Sequence, residues 1–371
     1  MSGQVKKKII WYKNIYVLLC ISVAVGGIVY TALDFSGQPD LPIKPKLTDQ
    51  SSLPTQKKVV PPKTDQTKLV PADGKELTEQ YTKGLDYYKQ GNYKEAMEWY
   101  LKVAVKGHAA AQFNIGVLYS KGQGVEQDYK EAVKWYRKAA KQGHAEAQFN
   151  MGDKYEKGQG IDQDYKKAVK WYRRASKQEH AEAQNSLGII YVKGQGVEQD
   201  YKEAVKWFRK AAEQGHLQAQ YNLGTMYSKG LGTEQDYDKA AQWYRRAAEQ
   251  GYAQSQTILG LMYSKGQGVK QNYKEAVRWY RKAAKQGYIK AQFNLGVMYS
   301  EGQGVEQDYN EAVKWYRKAA EGGHAQAQAM LGFMYHKGQG VEQDSKKAVK
   351  WYRKAAEKGV DYAKEALKSL E

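Results

Sequence analysis

The sequence predicts an all-α solenoid of helix-turn-helix repeats, preceded by one N-terminal transmembrane helix. Three observations lead there. Tryptophans fall at 99, 135, 171, 207, 243, 279, 315 and 351, always 36 apart, and a fixed period in this range marks a stack of two-helix units. All seven prolines lie between Pro39 and Pro71, so the rest of the chain lacks the residue that breaks helices. Asn14 to Leu33 carries no charge over twenty positions, about the length that spans the hydrocarbon core.

From the N-terminus, residues 1–13 are basic, with Lys6, Lys7, Lys8 and Lys13 crowding one side of the apolar stretch 14–33. The first lysine beyond it is Lys44, so the positive-inside bias places the N-terminus in the cytoplasm. The repeats then lie on the far side, periplasmic if the cell is bacterial. A cleaved signal peptide would have a shorter apolar region. Val17, Leu18 and Leu19 before Cys20 are too bulky for a lipoprotein cleavage site. The expectation is therefore a retained signal-anchor. Residues 34–74, rich in proline and lysine, read as a semi-extended linker.

The repeats come next. Residues 75–107 form a first unit with a short turn, similar to a tetratricopeptide unit. Seven 36-residue repeats follow over 108–359, and 360–371 read as a capping helix. In the unit His108 to Gly143, "HAAAQFNIGVLYSKG" gives helix A and "DYKEAVKWYRKAAKQG" gives helix B. On helix B, Ala132, Val133, Tyr136, Ala139 and Ala140 share one arc and the lysines the opposite one. Asp128 stands at the N-cap, Glu131 three places on suggests a capping box, and Gly143 suits a left-handed C′ residue. The G-x-G of "KGQGVEQ" follows a helix rather than a strand, so it reads as a tight turn and not a phosphate loop. Two irregularities stand out. Glu179 replaces the C′ glycine, which costs about 1 kcal/mol if the left-handed geometry is kept. Asp153 and Lys154 replace the Val117–Leu118 pair of the preceding unit.

The stretch Ala291 to Gly323, "AQFNLGVMYSEGQGVEQDYNEAVKWYRKAAEGG", resembles the Sel-one-like repeat, a relative of the tetratricopeptide repeat. The resemblance covers about two-thirds of the chain. It implies a right-handed α-α superhelix whose A helices line a concave groove that binds a protein or peptide. Family members are associated with envelope assembly, virulence or membrane-protein quality control.

No catalytic constellation is visible. His108, His144, His180, His216 and His324 occupy one repeat position, and successive units stand too far apart for joint metal ligation. They read as packing residues. No serine or cysteine has a nucleophile's context, so no enzyme, cofactor or metal is expected. Residues that vary between repeats on helix A are the candidate partner-binding site: Phe113, Asn114, Phe149, Asn150, Tyr221, Asn222, Phe293 and Asn294. Asparagine amides both donate to and accept from an extended peptide backbone. Two alternatives stay open. The family resemblance allows a β-lactamase or penicillin-binding-like envelope enzyme, although this chain lacks the regularly spaced cysteine pairs of such members. The net charge of +19 allows binding of an anionic envelope polymer through the basic B faces, or simply keeps them soluble. Nucleic acid is not an expected partner.

Overall fold

The computed structural model describes residues 72–370. The expected transmembrane helix, the basic N-terminus and the linker up to residue 71 lie outside these. Among the described residues no helix is long and apolar enough to cross a membrane. All regular structure in them is helical, in seventeen helices with no strand. The described chain divides into two compact units, 72–235 and 236–370.

The first unit holds α1 (Ala72–Gln90), α2 (Tyr93–Ala104), α3 (Ala109–Lys121), α4 (Tyr129–Lys141), α5 (Ala145–Lys157), α6 (Tyr165–Ser176), α7 (Ala181–Lys193), α8 (Tyr201–Glu213) and α9 (Leu217–Lys229). The second holds α10 (Tyr237–Glu249), α11 (Ala253–Lys265), α12 (Tyr273–Lys285), α13 (Ile289–Glu301), α14 (Tyr309–Glu321), α15 (Ala325–Lys337), α16 (Ser345–Glu357) and α17 (Asp361–Lys368). Helix α1 starts at Ala72, inside the stretch read as linker, because Ala72, Lys75, Glu76 and Leu77 are strong helix formers. At the other end α17 caps the second unit: Ala363 is fully buried, and the Tyr362 ring meets Tyr352 edge-on at 5.9 Å.

Each unit is a stack of A–B hairpins, and the same devices close every one from the α3–α4 hairpin onward. There an aspartate or asparagine side chain N-caps each B helix. Asp128 Oδ1 accepts from the N–H groups of Lys130 and Glu131 at 2.7 and 3.0 Å. The expected capping box does not close. The Asp128 N–H donates to the Tyr119 carbonyl, and Glu131 turns outward to pair with Lys134.

The A helix ends on a left-handed glycine, Gly122 in the first full repeat. The second glycine of the G-x-G does more than turn the chain. A Cβ on Gly160 would lie 2.2 Å from the Tyr129 carbonyl oxygen, and one on Gly304 2.3 Å from that of Tyr273. This glycine is where one repeat docks on the backbone of the one before it. Within a hairpin a third glycine admits an aromatic ring: a Cβ on Gly116 would stand 2.6 Å from Tyr136, and on Gly296 the same distance from Tyr316. Those rings fill the core with alanines, giving the alternation of small and large that the repeat spells out.

Glu179 has φ of 61°, the one non-glycine residue with positive φ among the described residues. The left-handed geometry is kept, and the strain expected at this position goes with it.

Candidate functional site

Beside their buried alanines and aliphatic side chains, the A helices carry polar groups whose hydrogen bonds cap the helices and link adjacent repeats. The histidines come first. Five of the six lie just before an A helix, and there Nδ1 accepts from the backbone N–H three residues on: His108 from Ala111 and His144 from Ala147, both at 3.2 Å. His180, His216 and His324 repeat this with Ala183, Ala219 and Ala327. Accepting at Nδ1 requires the neutral ring with its proton on Nε2. The rings also stack on the aromatic residue of the preceding repeat: His144 on Phe113 at 4.8 Å, His180 on Phe149 at 4.9 Å, His324 on Phe293 at 4.5 Å. Burial pushes the pKa of His108, His144 and His216 below the usual imidazole value, in keeping with their role as acceptors. These residues pack, as expected, but they also cap.

Glutamine supplies a second ladder. Gln148 is buried; its Nε2 donates to the Ala140 carbonyl at 3.1 Å, and its Oε1 accepts from Gln178 at 2.9 Å. Gln112, Gln184 and Gln256 are equivalents that accept from Gln142, Gln214 and Gln286 in the same way. These amides satisfy carbonyls at the C-terminal end of each B helix that would otherwise be buried without partners. The sequence shows this only as a glutamine that never changes at one repeat position.

The eight candidate residues fall into two groups. Asn222 is fully enclosed, its Nδ2 donating to Asn185 Oδ1 at 3.0 Å, and Phe293 is buried against His324. Phe113, Asn114, Phe149, Asn150, Tyr221 and Asn294 are half-exposed. Asn114 donates to the Tyr81 hydroxyl at 3.2 Å, and the amides of Asn150 and Asn294 face the hydroxyls of Tyr136 and Tyr280 in the preceding repeat. The amides are thus tied into the stack, with one side open. Three residues further along helix A, a series that sequence reasoning passed over faces the same way. In the second unit it is Leu261, Val297 and Phe333, all half-exposed, beside Ile258, Asn294 and Met330. In the first unit the same two positions begin with Asn114, Val117, Asn150 and Asp153.

Charge enters this face at a few points. Asp153 pairs with Lys157 at 2.9 Å. Lys154 is buried in a slot where other repeats have leucine, isoleucine or methionine. Its ammonium donates to Gln159 at 2.9 Å and lies over the Tyr129 ring, and burial lowers its pKa. Glu301 ends α13 where the A helices of the other 36-residue repeats end in lysine, and burial raises its pKa to about 7. His180 Nε2 lies 3.1 Å from Glu146 Oε2, a link between adjacent repeats. Among the described residues no group of histidine, cysteine and carboxylate side chains has the arrangement of a metal site.

Comparison with known proteins places this geometry. The Sel1 repeat family matches residues 81–108, 109–144, 145–180, 181–216, 217–252, 253–288, 289–324 and 325–360, taking in the short first unit. No curated protein matches the chain. Among solved structures it is similar to c5321, a protective antigen present in uropathogenic Escherichia coli strains and displaying an SLR fold. The identity is 39% and the TM-score 0.75, over 81% of this chain and 65% of that one. This chain therefore spans about two-thirds of that relative's length. It is also similar to a Sel1 repeat protein from Oxalobacter formigenes, at 35% identity and TM-score 0.65, over 81% of this chain and 88% of that one. Sel1-repeat solenoids are protein-interaction scaffolds and typically not enzymes. Eight matched repeats, seven of them sharing one set of turn glycines and glutamine rungs, make this chain a member of the Sel1 repeat family.

Proposed function

We propose that the chain is a membrane-anchored scaffold that holds a protein or peptide against its A-helix faces. One observation carries this reading. The positions that build the stack are repeated from unit to unit and buried, whereas the half-exposed A-helix positions change from repeat to repeat. Variation along an open A-helix row, above a stack whose packing residues recur, supports a recognition surface there. In the second unit the row Leu261, Val297 and Phe333 is apolar, flanked by the Asn294 amide. That pairing suits a partner segment with apolar side chains on one edge and free backbone groups on the other. In the first unit Phe113, Asn114, Phe149, Asn150 and Tyr221 offer a more polar version. The uncharged stretch 14–33 with its lysine-rich flank supports the anchor, and with it a place on the far side of a membrane.

Photo-crosslinking residues placed at Val297 and Phe333 in the full chain, and at Lys354 as a control, test the recognition face. The expected result is a discrete protein adduct from the A-face positions and none from Lys354. Equal adducts from all three, or none from Val297 and Phe333, overturn the assignment. Turnover of a β-lactam by the purified chain, abolished by heat unfolding, would instead favour the enzymatic alternative.

A further inference from the structure

On the exposed face of the B helices, residues two, six, ten and thirteen of each helix or its C-terminal extension fall in one stripe. In α4 these are Lys130, Lys134, Lys138 and Lys141; in α6 they are Lys166, Lys170, Arg174 and Lys177. All eight are exposed. Lys134 alone among them pairs with a carboxylate, Glu131, and an exposed pair of that kind neutralises little. The two helices run side by side, because both ends are pinned. Gly160, before α6, sits on the backbone of Tyr129 and Lys130 at the start of α4. Gln178, after α6, donates to the Gly143 carbonyl just after α4 at 2.8 Å. The result is a two-helix field of eight cations with no acid in the stripes.

The neighbouring B helix, α2, adds something different. Gly124 docks the following repeat on Tyr93 and Lys94 at its start. Where α4 has Arg137 and Lys141, α2 and its C-cap have Leu101 and Val105, which are 37% and 75% exposed. They are one helical turn apart and flank Lys102, whose ammonium lies 3.8 Å from the Trp99 ring centroid. Glu98 is the one acid in this stripe. Elsewhere the pattern lapses: α8 ends its stripe on Glu213, and α10 carries Asp238, Gln242 and Glu249. Helix α12 is fully basic with Lys274, Arg278, Lys282 and Lys285, but α14 beyond it brings Asn310 and Glu321.

We propose that the face formed by α2, α4 and α6 docks on an anionic phospholipid bilayer. The cations match the surface charge of such a membrane. The aliphatic pair matches the boundary between headgroups and acyl chains. A soluble polyanion answers the lysines and leaves Leu101 and Val105 without a counterpart. The face also lies on the first hairpins after the chain that carries residues 14–33, so it is the part of the array that an anchor would bring closest to lipid. The proposal rests on the anchoring reading for that proximity alone.

The test uses the full chain with Cys20→Ser and Val105→Cys, labelled with an environment-sensitive fluorophore. It is reconstituted in vesicles of phosphatidylcholine alone or mixed with phosphatidylglycerol, with a headgroup-borne quencher. A second chain carries the label at Gln242→Cys on α10. The expected result is quenching at position 105 in mixed vesicles at low salt, reduced about tenfold in molar salt. The same reduction is expected in a chain carrying Lys138→Glu, Lys141→Glu, Arg174→Glu and Lys177→Glu. The label at 242 stays unquenched. Equal quenching in pure phosphatidylcholine, equal quenching at 242, or none at 105 overturns the proposal. Salt-sensitive capture of soluble polyphosphate without quenching hands the face to a polyanion and overturns it too. Alkaline carbonate extraction of the same vesicles reads the anchor separately. If the chain is extracted, the anchor fails, and flotation of wild-type and charge-reversed chains with mixed vesicles still decides the face.

Discussion

Between residues 72 and 235 every full repeat begins on a histidine: His108, His144, His180 and His216. Between 236 and 370 the same place is held by Tyr252, Tyr288 and His324, and the tyrosines make no side-chain cap. The half-exposed A-helix positions change as well: Asn114, Val117, Asn150 and Asp153 in the first unit, Ile258, Leu261, Asn294, Val297, Met330 and Phe333 in the second. Fully basic B faces stand side by side in the first unit and alone in the second. Beneath this, both units share the docking glycines, aspartate or asparagine caps and glutamine rungs. What is shared must satisfy an identical neighbour, so it is fixed by packing. The A-helix row and the B faces differ where they meet solvent, whereas the helix-start position differs while largely enclosed, as at His180 and Tyr252.

The largest effect should come from breaking the shared part. In Gly304→Ala the new Cβ would stand 2.3 Å from the Tyr273 carbonyl, at a φ of 70°. Left-handed strain and backbone overlap together should cost about 3 kcal/mol. Gly160→Ala in the first unit, where the overlap is with Tyr129, should cost about the same. Urea denaturation followed by circular dichroism measures both. A cost several-fold larger in one unit than the other would mean that the two skeletons are not equivalent.

Acid should separate the units next. His108, His144 and His216 have folded pKa values below the usual one, because burial disfavours the charged ring. Their contribution is therefore complete above the unfolded value of about 6.5 and is lost as pH falls from there through the lower folded values. Protonation also removes the Nδ1 lone pair, and each lost cap costs about 1 kcal/mol. Hydrogen exchange at about pH 7.5 and about pH 5 should show protection falling in α3, α5 and α9 ahead of α11 and α13, which begin after tyrosines. Equal losses in all five helices would discard the capping account. Replacing Tyr288 by His should transfer the acid sensitivity to α13.

The rungs come third. Gln148→Ala removes both the bond to the Ala140 carbonyl and the acceptor of Gln178. With a carbonyl left buried, the cost should be about 2 kcal/mol. Gln256→Ala should match it in the second unit, where Gln256 makes the same two bonds with Ala248 and Gln286. Thermal denaturation of the two variants compares them directly.

These devices differ in how far the sequence reveals them. The hairpins, the aspartate caps and the first glycine of each turn follow from helix period and cap chemistry, and Asp128, Gly122 and Gly143 stand where those rules place them. The capping box failed because Glu131 had a lysine within reach and the Asp128 N–H had the Tyr119 carbonyl. The histidine caps were hidden because imidazole is an uncommon cap, leaving only recurrence at helix starts as a signal. The asparagines looked outward on a single helix wheel, which does not contain the tyrosine hydroxyls of the previous repeat. The row Leu261, Val297 and Phe333 was not followed along the chain, because only the neighbouring repeat shows which apolar residues of helix A stay open.

The smallest effect is a gain, and it bears on the junction between α6 and α7. Glu179 holds a φ of 61° where the equivalent residues of other repeats are glycines, among them Gly143 at 94° and Gly215 at 87°. Glycine adopts this region without a Cβ penalty, so Glu179→Gly should stabilise the chain by about 1 kcal/mol. The gain should appear as a higher urea midpoint with an unchanged slope. The carboxylate itself is exposed, and removing it should cost little. Reversing the exchange with Gly215→Glu should lose about the same amount, provided the two repeat ends are equivalent. If Glu179→Gly gives no gain, the strain at this junction is relieved by contacts that glycine cannot make. The 145–180 repeat would then differ from its neighbours in backbone as well as in the charges of Asp153, Lys154 and Glu156.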